Sequence, residues 1–247
     1  MFPIRDHNPS GTVPLVTVAL IGVNVFVFLM TYVSLGSPAA LERFYMSWAA
    51  VPAQISAGQD WVTLVTAMFL HGGWLHLLGN MLFLWIFGDN LEDAFGHGGF
   101  LVFYLCCGLA AGLAQIAVDP ASPIPMVGAS GAIAGVMGGY LLLYPRAQVD
   151  IVVIIFIFIR LFIMPAWLVL TIWFGIQLLA GLVADPTQAG VAYMAHVGGF
   201  GAGLLLTLPL WFLHGGPRHW RRTEGAPPWP PTPVRNTLTT IPRVRRR

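Results

Sequence analysis

Lysine does not occur in this chain of 247 residues. All 12 basic residues are arginine, and charged residues of both signs reach only 9%. Soluble domains carry about 25% charged residues, so the composition excludes a soluble enzyme with a large core. Cysteine is scarce as well. Cys106 and Cys107 are adjacent in an apolar run and cannot form an ordinary structural disulfide with each other. Metal-type cysteine spacing is missing. No Asp or Glu falls inside any of the long apolar runs, a lack that restricts the chemistry open to the chain. What is present instead is 57% hydrophobic residues and 28 glycines, the composition of an integral membrane protein.

About 20 apolar residues cross a bilayer core as a helix. By that measure the sequence predicts six spans, at approximately 13–34, 72–88, 99–118, 128–144, 165–183 and 193–213. The uncharged run Val13–Val33 is longer than the roughly 7–15 residues of a signal-peptide core, so it reads as a retained helix. Residues 1–12 form a short polar N-terminus. The loop 35–71, with Trp48 and Trp61, suits partial insertion in the membrane interface. Gly88–Gly98 holds Asp89, Glu92, Asp93 and His97 and reads as a polar connection. Residues 145–164 fit either a buried connecting hairpin or an interfacial segment, because Ile151–Ile159 is apolar but bracketed by Asp150 and Arg160. Residues 214–247 are Pro- and Arg-rich, which predicts a disordered tail. The expected fold is all-α, a polytopic six-helix bundle over 13–213.

Arginine placement orients the bundle. With six spans, eleven of the 12 arginines fall on the side that holds both termini, and only Arg43 lies opposite. Cytoplasmic loops carry the excess of Lys and Arg. Both termini are therefore expected in the cytoplasm, with a bacterial cell (inner) membrane as the expected location. Spans 2, 4 and 6 then run inward from the outer face. Their first turns hold His71, His76 and Asn80, then Ser130, then His196, all at one shallow depth.

Ionisable residues inside a membrane usually face the bundle interior and carry function. Ser130 stands between small residues at the head of a helix pattern, after Pro120, Pro123 and Pro125. Free N–H groups and the helix dipole there favour a developing negative charge. A serine hydroxyl becomes a nucleophile when a histidine takes its proton, and His196 is the histidine expected at matching depth. The Ser130 N–H, His76 and Asn80 could stabilise an oxyanion. With no carboxylate in the spans, a dyad is expected rather than a triad. Plainer readings stand beside this one. Ser130 could cap a helix, His76 and Asn80 could hydrogen-bond between helices, and the histidines could ligate a metal. Gly131, Gly135 and Gly139, with Gly199 and Gly203, would let spans 4 and 6 pack closely under either reading.

Three segments resemble the rhomboid family of intramembrane serine proteases. They are His71-Gly72-Gly73-Trp74-Leu75-His76-Leu77-Leu78-Gly79-Asn80, Gly128-Ala129-Ser130-Gly131, and Ala195-His196-Val197-Gly198-Gly199 with Gly203. The resemblance covers roughly 60–213. It implies a six-helix fold, Ser130 as nucleophile and His196 as base. His76, Asn80 and Ser130 would be the oxyanion partners, and Gly128, Gly131, Gly199 and His71 supporting residues. It implies hydrolysis of peptide bonds in single-pass membrane proteins, often beside small residues, with no metal or organic cofactor. Expected partners are those substrates and the lipid bilayer, with anionic lipid held by the C-terminal tail; no nucleic acid is expected, and the oligomeric state stays open. Two positions depart from the family pattern. Val62-Thr63 stands where Trp-Arg is frequent, and Ala134 where an aromatic residue often packs on the histidine. The competing functions are an inactive rhomboid-like protein that binds membrane clients and a small transporter. A transporter site would lie nearer the bilayer centre.

Overall fold

The structure, a computed structural model, describes residues 2–8, 10–35, 37–155, 158–185 and 190–227. Helix α1 (Leu15–Ser34) is followed by three short helices, α2 (Pro38–Trp48), α3 (Pro52–Ser56) and α4 (Thr63–Thr66), which build the long loop. Helix α5 (Trp74–Val118), α6 (Ser130–Leu143), α7 (Ala166–Val183) and α8 (Tyr193–Leu213) complete the bundle. By length and composition, α1, α5, α7 and α8 can each cross a membrane, and α6 is a shorter apolar helix. The chain is a mostly helical, polytopic membrane bundle.

The expected break between spans 2 and 3 is a helix rather than a loop. Helix α5 continues through the acidic stretch and departs from helical geometry only at Gly96 (φ 69°, ψ 161°), which divides it into two arms. The acids there serve the start of α1. Glu92 accepts the backbone N–H of Val16 and of Thr17, each at 2.8 Å, and the Thr17 hydroxyl. Asp93 accepts from Gly11 and Thr12. Carboxylates at a helix N-terminus satisfy its free donors and its dipole. Polar sequence therefore marks a helix-capping role here, not a turn.

Helix α6 lies at the centre, with Gly131 through Tyr140 all buried. It is pressed between α8 and the second arm of α5 by absent side chains. A Cβ on Gly199 would collide with the carbonyl of Gly131, one on Gly203 with that of Gly135, and one on Gly138 with that of Phe200. On the opposite face Gly131 meets Ala111 and Gly135 meets Cys107. Small residues that let backbones touch are the usual way membrane helices associate, since lipid gives no hydrophobic drive between them.

The N-terminus and the α6–α7 connection form a small sheet that adds β-structure to the expected all-α fold. Residues 145–164 fold as an antiparallel hairpin of β2 (Gln148–Ile155) and β3 (Phe158–Pro165). The N-terminal strand β1 (Phe2–Asp6) pairs with β2, Arg5 opposite Asp150. Asp150 is buried and accepts from Arg5 at 2.9 Å and His7 at 2.5 Å. Burial alone would raise its pKa, but these two partners hold it below the ordinary carboxylate value. A depressed carboxyl contributes stability above its unfolded pKa and loses it as pH falls through the folded value. Asp150→Ala should therefore release β1 at neutral pH, seen as faster hydrogen exchange of the amides of residues 2–6. Acidification of the wild type should do the same, and unchanged exchange in the variant would disprove the latch.

Past α8 the expected disorder does not begin at residue 214. Helix α9 (Pro217–Thr223) folds back under the bundle. Its Trp220 indole donates to the Leu142 carbonyl at 2.7 Å, and the Gly225 carbonyl accepts from the Arg146 N–H at 2.7 Å. Nothing in the sequence signals this return, because the two tryptophans of this Pro/Arg-rich stretch, Trp220 and Trp229, form no helical periodicity. Residues 228–247, the rest of the predicted tail, lie outside the described residues.

Candidate functional site

The segment before Ser130 is pinned from the long loop. Ala50 and Met126 exchange backbone hydrogen bonds of 3.1 and 2.8 Å, and Gly128 donates to the Ala67 carbonyl at 2.9 Å. The long loop is itself braced where the sequence departs from Trp-Arg. Thr63 is buried and its hydroxyl donates to the Asp60 carbonyl at 2.6 Å, while Thr66 donates to the Trp48 carbonyl at 2.7 Å. Gly128 adopts φ +127°, where a side chain would be strained, and a Cβ there would stand 2.7 Å from His76 Nε2 and 3.5 Å from Ser130 Oγ. That spot between imidazole and hydroxyl is open because residue 128 is glycine. Ser130 then takes the first position of α6, where a backbone N–H has no acceptor within the helix. Beside it lies a cavity of about 50 Å³ walled by Gly108, Ala111, Gly112, Gly131 and Ala195.

His196 sits in the first turn of α8 and is buried. Its Nε2 is 2.8 Å from Ser130 Oγ and its Nδ1 is 2.7 Å from Gln177 Oε1 on α7. An amide oxygen can only accept, so Nδ1 carries the proton and Nε2 presents its lone pair to the serine. The Trp173 ring, one turn before Gln177, lies 5.8 Å from the imidazole at a 34° tilt. This answers the departure at Ala134. The aromatic cover expected from α6 comes instead from α7, and Ala134 is fully buried in the α6 packing.

His76, Asn80 and His71 form the third side. His71 lies outside α5, which starts at Trp74, yet its ring stands 5.0 Å from that of His76. The loop before the helix thus brings together two histidines that, at i, i+5 on one helix, would share a face poorly. Asn80 is buried and its Nδ2 is 2.9 Å from His71 Nε2. One amide hydrogen of Asn80 is therefore engaged by His71 and a second remains. Among the described residues no group of three His, Cys, Asp or Glu side chains is placed to hold a metal ion.

The structure brings Ser130 and His196 into hydrogen-bond contact and sets His76 beside Gly128. It also places Gly131 and Gly199 against each other, where α6 meets α8. Gln177 and Trp173 are the two residues at the site that sequence reasoning missed. A weak signal exists, since Gln177 is the only amide side chain in the span 165–183.

Residues 58–213 match the Rhomboid domain. The chain is 33% identical over 128 residues to Rhomboid protease GluP of Bacillus subtilis, covering 52% of this chain and 24% of that protein. It is 36% identical over 85 residues to Putative rhomboid protease YdcA of the same organism, covering 34% of this chain and 42% of that protein. It is 28% identical over 204 residues to Rhomboid protein 1, mitochondrial, of Saccharomyces cerevisiae, covering 76% of this chain and 51% of that protein. The chain thus spans between about a quarter and a half of the length of these curated relatives. With the domain matched across the three motif segments and the helices that carry them, the chain belongs to the rhomboid family.

Proposed function

We propose that this protein is an intramembrane serine endopeptidase that hydrolyses peptide bonds in or beside the transmembrane segments of single-pass membrane proteins. The observation that carries this reading is the 2.8 Å contact between Ser130 Oγ and His196 Nε2. The serine hydroxyl donates to Nε2. As Oγ attacks the scissile carbonyl carbon, its proton passes to His196, and the carbonyl oxygen becomes an oxyanion. The Ser130 N–H, His76 and the second N–H of Asn80 stabilise that charge in a site with little water to screen it. His196 then gives the proton to the leaving amine, and a water attacks the acyl-enzyme by the reverse sequence. Gln177 holds the tautomer that this needs without placing a carboxylate in the membrane. The small cavity beside Ser130 leaves room for a few waters or a side chain no larger than alanine, which favours cleavage next to small residues.

The site lies toward one face of the bilayer. A helix of 14 residues is about 21 Å long against a hydrocarbon core of about 30 Å. The loop leading to Ser130 therefore takes up membrane depth itself, which irregular backbone can do only when buried in protein or lining a wet cavity. Six crossings, counting the two arms of α5 separately, put both termini with eleven of the 12 arginines, on the cytoplasmic side. Relatives of the chain include mitochondrial and chloroplastic proteins, so the arginine bias orients the bundle but does not name the membrane.

A fluorophosphonate probe tests this reading directly. In mild detergent it should label one residue, Ser130, located by peptide mass spectrometry, and prior labelling should abolish cleavage of a reporter membrane segment. Absence of labelling in folded protein that cleaves the reporter would refute the serine mechanism; absence of both would favour an inactive client-binding relative.

A further inference from the structure

On the side opposite Ser130, a groove of about 960 Å³ opens between the ends of α6 and α8, the start of α7, and α9. Its inner wall is apolar, made by Leu141, Leu142 and Leu204. Leu204 lies nine residues before the end of α8 at Leu213, about 14 Å along the helix axis. The groove thus runs from the polar end of the bundle well into the depth of the span. Its mouth is different in character. Arg146 and Arg221 stand on the rim, and the rings of Trp167 and Trp220 line it. Among the described residues neither guanidinium has an ion-pair partner. Among the described residues Glu224 is the one carboxylate lining the groove, and Arg218 and Arg222 on α9 add to the positive excess.

We propose that this groove is a binding site for one anionic phospholipid. The length and apolar wall suit an acyl chain. The two arginines suit the phosphate of a headgroup that carries no cation of its own, since a guanidinium forks onto phosphate oxygens with paired N–H donors. Tryptophan is favoured at the headgroup level, where its ring is half apolar and its N–H is polar; the Trp220 indole N–H is already spent on Leu142, so that ring contributes its face. A soluble anion would find the rim but gain nothing from the leucines, and a zwitterionic lipid would bring, with its phosphate, a cation that the two guanidinium groups repel. A lipid seated here touches α6, α7 and α9 together. It would tie the C-terminal segment to the helices that carry the site on the other face, independently of whether the site is proteolytic.

Native mass spectrometry tests the site on the full-length protein, released from neutral detergent with equal phosphatidylglycerol and phosphatidylcholine. One phosphatidylglycerol should be retained in preference. The pair Arg146→Gln/Arg221→Gln should lower its retention about tenfold or more, at up to about a factor of five for each arginine near the headgroups. Leu204→Trp, which fills the apolar wall and changes no charge, should lower it as well. A matched loss of charge in the tail, Arg245→Gln/Arg246→Gln, should not. Thermal unfolding in phosphatidylcholine alone should be the same for all three variants, so that lost retention is not lost folding. If the arginine pair unfolds, Leu204→Trp decides alone. Retention that survives both groove changes, or that falls equally with the tail pair, would overturn the proposal. So would equal thermal protection by inorganic phosphate, which would show an anion site with no lipid chain.

Discussion

Ser130→Ala and His196→Ala should each lower the rate of reporter cleavage by about four to six orders of magnitude, and the double variant should be no worse than either single one, because nucleophile and base act as a unit whose losses do not add. The geometry supports this non-additivity. The two side chains meet through one 2.8 Å contact; Ser130→Ala removes the hydroxyl from it, and His196→Ala removes the one side chain that hydrogen-bonds that hydroxyl among the described residues. Initial rates in liposomes, at matched amounts of folded protein, measure the effect. The fold should tolerate Ser130→Ala, since the serine makes no other hydrogen bond to a side chain among the described residues. Near-normal turnover in either single variant would remove the dyad from the mechanism.

Gly203→Val should be the most damaging change away from the site. Its new side chain would drive into the Gly135 backbone of α6. That face has no flexible side chain to give way, so the helices must separate. Overpacking of this kind belongs with the largest single-residue losses, about 4 kcal/mol or more. Gly201→Val is the control, because a Cβ at Gly201 meets nothing within 4 Å. Both lie on α8, two residues apart, and both add the same β-branched side chain. Thermal unfolding in detergent should show a sharp loss for Gly203→Val and little change for Gly201→Val. Equal behaviour of the two would mean that α6 and α8 are not held together by backbone contact.

Most of the residues behind these two predictions are legible in the amino-acid sequence. Polar residues are conspicuous in charge-free spans, so span boundaries and helical rise lead to the expectation that Ser130, His196, His76 and Asn80 share one depth, and the fold brings Ser130 and His196 into contact. The glycine spacing announces the contact of α6 with α8 in the same way. Other features depend on partners distant in sequence and leave no local pattern. Gln177 reads as an isolated polar residue on a lipid-facing helix, and only the fold sets it 2.7 Å from His196. The acidic run after Gly88 reads as a loop because its partners, the first donors of α1, lie some 75 residues earlier. Strand β1 reads as a polar leader, since only pairing with β2 makes it a strand. Asn80 shows a further limit. Its place on one face with His76 follows from the i, i+4 spacing, but its engagement with His71 does not, because the loop holding His71 departs from helical spacing.

Helix α7 has only Ala166 and Leu170 buried among its described residues, both in its first turns. The rest, including the stretch that carries Trp173 and Gln177, is open to lipid or half-covered. The acceptor for His196 Nδ1 is therefore mounted on the part of the bundle with the least to hold it in place. If α7 swings outward by a few ångströms, Nδ1 loses its partner and the imidazole proton is free to sit on either nitrogen. The wrong tautomer then points an N–H, not a lone pair, at Ser130. On the mechanism proposed above, the gap between α7 and α8 thus becomes a mechanical coordinate for the reactivity of the serine, one that moves without any displacement of Ser130 or His196.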